Sequence, residues 1–201
     1  MGSNHTENTT RTEGADTHKL RTYFQDVDEQ TVKVLAEKYG HLVPPERLEH
    51  MANQPTQFET AENFVKNYRT EFGEKPEPGV VGYTEAGHPS HVSTADMPEV
   101  PETVVHERLH QLADPRAEQI LGTKLCEGIT EDLAIETSGQ EPGPGNPVAY
   151  PEERASAHAL RKAVGNDAVE EAYFKGDATT LKTRLDGASE EAKAEKSNSA
   201  D

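Results

Sequence analysis

The stretch Val104-Val105-His106-Glu107-Arg108-Leu109-His110 contains two histidines four positions apart. On an α-helix this spacing directs both imidazoles to the same face, where they are able to bind one metal ion. Glu107, beside the first histidine, then faces the open coordination position. Zinc is the expected metal because it accepts imidazole ligands in tetrahedral geometry and has no redox chemistry. The pattern predicts that His106 and His110 are zinc ligands and that Glu107 activates a water on the same ion.

The residues around this pattern favour a helix inside the core. Leu109 and Leu112 give the helix an apolar side, and two valines precede the first histidine. The helix also lies between a predicted hairpin and a second amphipathic segment. The alternative is a surface helix with an accidental pair of histidines, which the nine histidines of the chain make feasible.

Further along the chain comes Cys126-Glu127-Gly128-Ile129-Thr130-Glu131-Asp132-Leu133. This segment resembles the Glu-Gly-x-x-Glu motif with which gluzincin peptidases, the thermolysin-like and aminopeptidase-like enzymes, supply their third zinc ligand from a later helix. The resemblance implies that Glu127, seventeen residues beyond His110, is the third ligand of one Zn²⁺. It also implies that Glu131 hydrogen-bonds His106 and fixes its tautomer. The alternative is a solvated pair of acidic residues.

A wider pattern is similar to a group of small bacterial gluzincins, some of them associated with toxin delivery or contractile injection systems. It joins a hairpin containing Gly-Tyr-Thr and the two metal motifs to Ala-Tyr-Pro-Glu-Glu and Ala-Tyr-Phe-Lys-Gly-Asp, and it spans about Val80 to Leu185. The resemblance implies a zincin-like catalytic core in which two packed helices supply the metal ligands. Cys126 stands where relatives often have Asn.

Two neighbours of Glu127 have separate expected roles. Gly128 is predicted to let the two metal-binding helices approach each other closely. Cys126 is about 100° around the helix from Glu127, so both side chains do not easily face one ion. We therefore interpret Cys126 as a packing residue.

The remaining periodicity predicts a mainly α-helical protein with a small β-hairpin or sheet, an α+β fold class. The strand signal is Val80 to Glu85 with His91 to Thr94, joined through Gly87 and Pro89. A Gly- and Pro-rich loop is expected at Ser138 to Pro147. The predicted helices cover Glu29 to Tyr39, Pro44 to Met51, Phe58 to Phe72, Thr103 to Ala113, Arg116 to Glu136, Pro151 to Val164, Asp167 to Lys175 and Thr179 to Leu185.

The length of 201 residues and a hydrophobic fraction of 32% suit one domain with loose ends. We expect a single metallopeptidase domain at 21–187. It comprises a helical front part at 21–75, the hairpin and zinc core at 76–137, and C-terminal helices at 148–187. Residues 1–20 are predicted to be a disordered arm, and 188–201 a disordered tail or a marginal helix at most.

Charge and cysteine content exclude several classes of function. A formal net charge of −17 and the lack of a Lys/Arg cluster argue against binding nucleic acid or an anionic membrane. A single cysteine rules out an intramolecular disulfide. No secretory signal is recognisable, so we expect synthesis as a soluble cytoplasmic protein, with any export through a specialised secretion or injection system.

Two tyrosines are candidates for stabilising the oxyanion of a peptidase reaction. Tyr150 is preferred because it follows the predicted loop and begins a helix; the alternative is a tyrosine packed between Pro147 and Pro151. Tyr83 lies in the hairpin, whose edge is a candidate for binding an extended substrate. His88 and His91 are interpreted as ordinary surface residues.

Three functional hypotheses follow. The first is a zinc metallopeptidase that hydrolyses protein or peptide substrates with Glu107 as general base, in the setting of a secreted or injected effector or toxin and its delivery apparatus. The second is a non-catalytic, zinc-stabilised interaction module whose acidic surface docks a basic partner. The third is a metal-free helical interaction protein. No pattern in the sequence selects the cleaved bond or the oligomeric state.

Overall fold

The computed structural model describes residues 6–84, 88–95, 97–139 and 149–198, with side chains described between 18 and 190 of those ranges. The described elements, in chain order, are α1 (Thr6–Tyr39), α2 (Pro45–Asn53), β1 (Gln57–Glu59), α3 (Ala61–Phe72), β2 (Gly82–Tyr83), β3 (His91–Ser93), α4 (Val100–Leu112), α5 (Ala117–Leu121), α6 (Thr123–Ser138), α7 (Pro151–Val164), α8 (Asn166–Lys175) and α9 (Thr179–Asn198). The predicted α+β class, mainly helical with a small sheet, is confirmed.

The sheet has three short strands in the order β1-β3-β2. Strands β2 and β3 are antiparallel, with Gly82 opposite Val92 and Tyr83 opposite His91, so the predicted hairpin is confirmed. Its turn includes Gly87, which lies outside the described residues. Strand β2 is an edge of the sheet, and its face toward α4 borders the predicted metal residues.

Strand β1, parallel to β3, was not predicted. The sequence pattern assigned Phe58 to a helix, but Phe58 lies in β1 and stacks on Phe24 of α1 with ring centroids 4.7 Å apart. Helix α3 begins only after Thr60, whose side chain accepts a hydrogen bond from the Asn63 amide. A three-residue strand is too short to have a period of its own, so its apolar residue was counted with the helix that follows.

The predicted helix from Arg116 to Glu136 is two helices in the structure. Gly122, with a φ of 82°, separates α5 from α6. This left-handed backbone is open to glycine and strained for other residues. The break matters for the site because it sets where α6 starts, and hence where Glu127 falls on its surface.

Helix α4 runs through the main hydrophobic core. Leu109 and Leu112 of α4 are fully buried against residues of the later helices. Those residues include Ile129 and Leu133 of α6 and Tyr173 and Phe174 of α8, all with no exposed surface. Burying the apolar side of α4 in this way leaves its other faces for polar contacts.

A buried ion pair fastens α4 to the front of the molecule. The Arg108 guanidinium donates to both carboxylate oxygens of Asp28 at 2.6–2.8 Å and to the carbonyls of Met51 and Gln54. Asp28 also accepts a hydrogen bond from the Thr56 hydroxyl at 2.6 Å. Arg108 is two positions from His106, about 200° around the helix. It therefore holds α4 from the side opposite the imidazoles.

Gly128 has a different partner from the one predicted. A Cβ at this position would clash with the Glu153 carbonyl of α7, so the helix that approaches it is α7 and not α4. The same pair of helices is joined by Asp132, which accepts hydrogen bonds from Arg154 and Arg161. Periodicity within one segment does not reveal which neighbour lies on a given face, and this is why the prediction was wrong.

Helix α1 begins at Thr6, within the arm at 1–20 for which the sequence predicts disorder, and α9 ends at Asn198, within the tail at 188–201 for which it predicts disorder or at most a marginal helix. Continuing an existing helix costs less than nucleating a new one, which composition alone does not reveal. Helix α6 ends at Ser138, before a left-handed Gly139. The rest of the predicted loop, 140–147, lies outside the described residues. No helix in the described ranges has the length and apolar character that crossing a bilayer requires.

Candidate metal centre

The ligand atoms of His106, His110 and Glu127 form a compact triangle. The two Nε2 atoms are 3.2 Å apart, and each lies 3.4 Å from Glu127 Oε2. In a tetrahedral zinc site with bonds of about 2.0–2.1 Å, ligand atoms are about 3.3–3.4 Å from one another. Among the residues whose side chains are described, this is the one group of His, Cys, Asp and Glu with such convergence. The three predicted ligands thus meet at a point able to hold a metal ion.

Two helices supply these side chains. His106 and His110 occupy successive turns of α4, and Glu127 lies in the second turn of α6. The histidine side chains are 10% and 20% exposed and the glutamate side chain 22%, so the cluster sits at the inner end of a surface opening. Such partial exposure leaves room for a water or substrate atom beside the three protein ligands.

Glu131 fixes the orientation of His106. Its Oε2 is 3.1 Å from His106 Nδ1, and its Oε1 accepts a hydrogen bond from the Ala149 amide at 3.1 Å. The contact makes Nδ1 the nitrogen that donates to Glu131, which leaves Nε2 as the nitrogen that faces the cluster and is able to bind a metal once its own proton is lost. The contact predicted for Glu131 is present, with the Ala149 amide as an additional partner.

The electrostatics of the cluster favour a positive charge. Burial lowers the pKa of His106, but hydrogen bonds to Glu127 and Glu131 outweigh burial and raise that pKa to about 10. Burial raises the pKa of Glu127, but the hydrogen bonds from His106 and His110 leave it well below its usual range. In the metal-free protein the cluster therefore holds a proton, whose positive charge balances the carboxylates. A bound divalent cation would supply that positive charge instead.

Glu107 lies next to the cluster without joining it. It is 5% exposed, and its Oε2 accepts a hydrogen bond from the Thr84 hydroxyl at 2.8 Å. Burial raises the pKa of this carboxyl, against an opposing effect of His106 and His110. A raised pKa suits a carboxylate that has to accept a proton near neutral pH.

Tyr150 lies over the first histidine. Its ring stacks on His106 with centroids 5.8 Å apart and planes 21° from parallel. The residue has a left-handed backbone, with φ 53° and ψ 52°, and it is 40% exposed. Burial, together with Glu127 and Glu107, raises the pKa of the phenol, which keeps it a hydrogen-bond donor. The alternative of packing between two prolines involves Pro147, which lies outside the described residues.

Tyr83 lines a cavity beside the cluster and is packed among other aromatic rings. It is 8% exposed and stacks flat on His91 at 4.6 Å, with Tyr68 and Phe72 edge-on to it. His91 in turn contacts Glu59 through Nδ1 at 2.7 Å, so it is a partly buried member of the sheet and not an ordinary surface residue. This set of contacts gives Tyr83 a packing role.

Two other residues agree with their sequence interpretations. The His88 side chain is 59% exposed, as expected of a surface loop. Cys126 is 2% exposed and belongs to the main core, which confirms its role in packing. Burial raises the pKa of its thiol to about 12, so the thiol stays protonated in the core.

Two cavities flank the cluster and share Gly82, His106, Glu107 and Tyr150 in their walls. The larger, about 330 Å³, extends toward Glu99 and Glu102. The smaller, about 200 Å³, extends toward Tyr68, Phe72 and Glu118. Because the two cavities share wall residues at Glu107, they are adjacent parts of one cleft beside the cluster.

Sequence reasoning missed the contribution of strand β2. Gly82 and Thr84 both contact Glu107, and neither was singled out as a site residue. Their spacing is a usable signal in retrospect, because residues two apart on a strand project from the same face. That signal indicates a shared face but not the helix that the face meets.

Comparisons of the chain with family models, with curated proteins and with solved structures found no match. The interpretation of the site therefore depends on its own geometry and on the two short motifs.

Proposed function

We propose that this protein is a zinc-dependent metallopeptidase of the gluzincin type, with a zincin-like core formed by α4 and α6. His106, His110 and Glu127 would hold one Zn²⁺. The observation that supports the proposal most directly is the triangle of ligand atoms, whose sides of 3.2–3.4 Å match a tetrahedral zinc site. When bound, zinc lowers the pKa of a water ligand and polarises a substrate carbonyl.

The residues around the triangle supply the remaining functions. Glu107 accepts the proton of the attacking water and returns it to the leaving amine. Tyr150 donates a hydrogen bond to the developing oxyanion, a role supported by its stacking on His106 at the cleft. Glu131 keeps His106 in the ligating tautomer.

A peptide or protein is the substrate class that the cleft favours. The cleft consists of two adjacent cavities with Glu107 in the wall of each, which gives room for substrate residues next to the cleaved bond. The edge strand β2 borders both cavities through Gly82 and offers backbone groups for an extended segment. A role as a secreted or injected effector rests on the sequence resemblance alone.

The proposal is tested by metal content and hydrolysis together. Protein purified without chelator is expected to contain about one zinc per chain and to cleave casein or a peptide library. Glu127→Gln is expected to weaken zinc binding by more than about 100-fold, since losing an outer-sphere partner alone costs about 10–100-fold. Glu49→Gln, at an exposed position on α2, is the matched control.

The outcomes separate the three hypotheses. Zinc bound by the wild type without hydrolysis of any library peptide would favour the interaction module with a structural zinc. Absence of zinc, with no stabilisation on adding it, would leave a metal-free helical protein. Hydrolysis that survives removal of zinc by a chelator would contradict a metallopeptidase.

Zinc binding is expected to release about one proton per chain between pH 6 and 8. The pKa of His106 is raised from 6.5 to about 10 in the metal-free protein, so this ring is protonated at those pH values and has to lose its proton to become a ligand. Zinc affinity should therefore rise about tenfold per pH unit. Calorimetry in buffers of different ionisation enthalpy measures the proton count.

In the absence of metal, the stability of the fold changes with pH in the direction opposite to zinc affinity. A raised histidine pKa stabilises the fold fully below about 6.5, and this contribution is lost as pH rises through about 10. The metal-free protein should thus become less stable over that range while zinc becomes more stabilising. His88→Gln, at an exposed histidine, should leave the proton count unchanged. Zinc binding without proton release would contradict the raised pKa.

A further inference from the structure

Strand β2 and the residue after it hold the Glu107 side chain from one direction. Gly82 and Thr84 both face the Glu107 side chain. A Cβ at Gly82 would lie only 2.5 Å from Glu107 Oε1, so that oxygen packs against the glycine backbone. The other oxygen, Oε2, accepts the hydrogen bond from Thr84. The two oxygens of the carboxylate thus have different, fixed surroundings.

The Thr84 hydroxyl has three acceptors within reach and one proton. They are Glu107 Oε2 at 2.8 Å, Ser90 Oγ at 2.9 Å and the Glu107 carbonyl at 3.2 Å. The bond to the carboxylate oxygen is the shortest of the three, so Glu107 Oε2 is the main partner of this hydroxyl. Glu107 is also buried, where an ionised oxygen without a donor is costly.

We propose that Thr84 is a positioning residue for the general base: its hydroxyl holds Oε2 so that the Glu107 carboxylate stays turned toward the metal cluster and the cleft. The inference rests on the proposed peptidase function and extends it to a residue on the hairpin. In each cycle Glu107 would gain and lose the proton of the attacking water, while Thr84 keeps its own. Gly82 would leave the space that this orientation requires.

Removing the hydroxyl tests the proposal. Thr84→Val keeps the shape of the side chain and is expected to lower kcat by about 10–100-fold, the scale for misplacing a catalytic group. KM for a fluorogenic peptide and the zinc content should stay within about twofold, since neither depends on the base. Thr84→Ser restores the donor and should retain kcat within about threefold of wild type. Thr94→Val, which removes a hydroxyl bonded to the Glu59 carbonyl in the same sheet, is the control.

A second measurement does not depend on activity. In a double-mutant cycle of Thr84→Val and Glu107→Ala, urea unfolding should be non-additive, because the valine leaves a carboxylate unpaired only when Glu107 is present. If the effects on unfolding are non-additive but the wild-type protein hydrolyses no peptide, the contact between Thr84 and Glu107 is present and the proposed peptidase function is wrong. Additive effects, a Thr84→Val enzyme with wild-type kcat, or a Thr84→Ser enzyme as impaired as Thr84→Val would each overturn the positioning role.

Discussion

Glu107→Gln is expected to lower kcat by about 10²–10⁴-fold, the usual contribution of a general acid–base. The amide is isosteric with the carboxylate, and its oxygen is able to keep the hydrogen bond from Thr84. It does not accept a proton from water. Because Glu107 is outside the triangle of His106, His110 and Glu127, the variant should still bind one zinc per chain.

The measurement compares initial rates on a peptide substrate with zinc content for the wild type, Glu107→Gln and the exposed-site variant Glu49→Gln. Glu107→Gln is expected to lose the general base and keep the metal, whereas Glu127→Gln is expected to lose the metal. The comparison therefore separates the two effects. Equal turnover by the wild type and Glu107→Gln would eliminate the proposed mechanism. A variant that loses its zinc would make Glu107 part of the metal site instead.

Arg108→Met is expected to destabilise the fold by about 3–5 kcal/mol, the cost of leaving one member of a buried ion pair alone. Asp28 is 6% exposed and would be left with hydrogen bonds from the Thr56 hydroxyl and amide. The carbonyls of Met51 and Gln54 would each lose the hydrogen bond from this guanidinium as well. The substitution would therefore weaken the contacts that join α1, α2 and α4.

Urea unfolding measures this cost directly, and the melting temperature should fall by about 6 °C or more. Adding Asp28→Asn to Arg108→Met removes the unpaired charge and should recover part of the stability. Arg69→Met, at an exposed position on α3, should change stability little. A cost under about 1 kcal/mol for Arg108→Met would mean that the ion pair is replaceable by apolar packing.

The residues of the candidate metal centre were accessible from sequence because their relationships are local. His106 and His110 share a helix, and so do Glu127 and Glu131, so the helical period predicts which side chains lie together. Predicting that the two pairs converge required one further observation, the resemblance of the Glu-Gly-x-x-Glu segment to gluzincins. The structure brings all four residues to one cluster.

The features that sequence reasoning missed depend on contacts between distant segments. Gly128 was matched to the wrong helix because its partner, Glu153, is 25 positions further along the chain. Thr84 reaches Glu107 only after the hairpin has packed on α4. Strand β1 exists through pairing with β3, and a three-residue strand has little signal without its partner.

Glu131 imposes a restriction on what may occupy its position. Both of its neighbours, the His106 ring and the Ala149 amide, present hydrogens to it. A glutamine has the same shape but only one oxygen. Its NH₂ group would therefore face one of those two donors, with hydrogen against hydrogen. Natural variation that preserved the site would accordingly avoid the amide here, although Glu and Gln exchange freely on most helix surfaces.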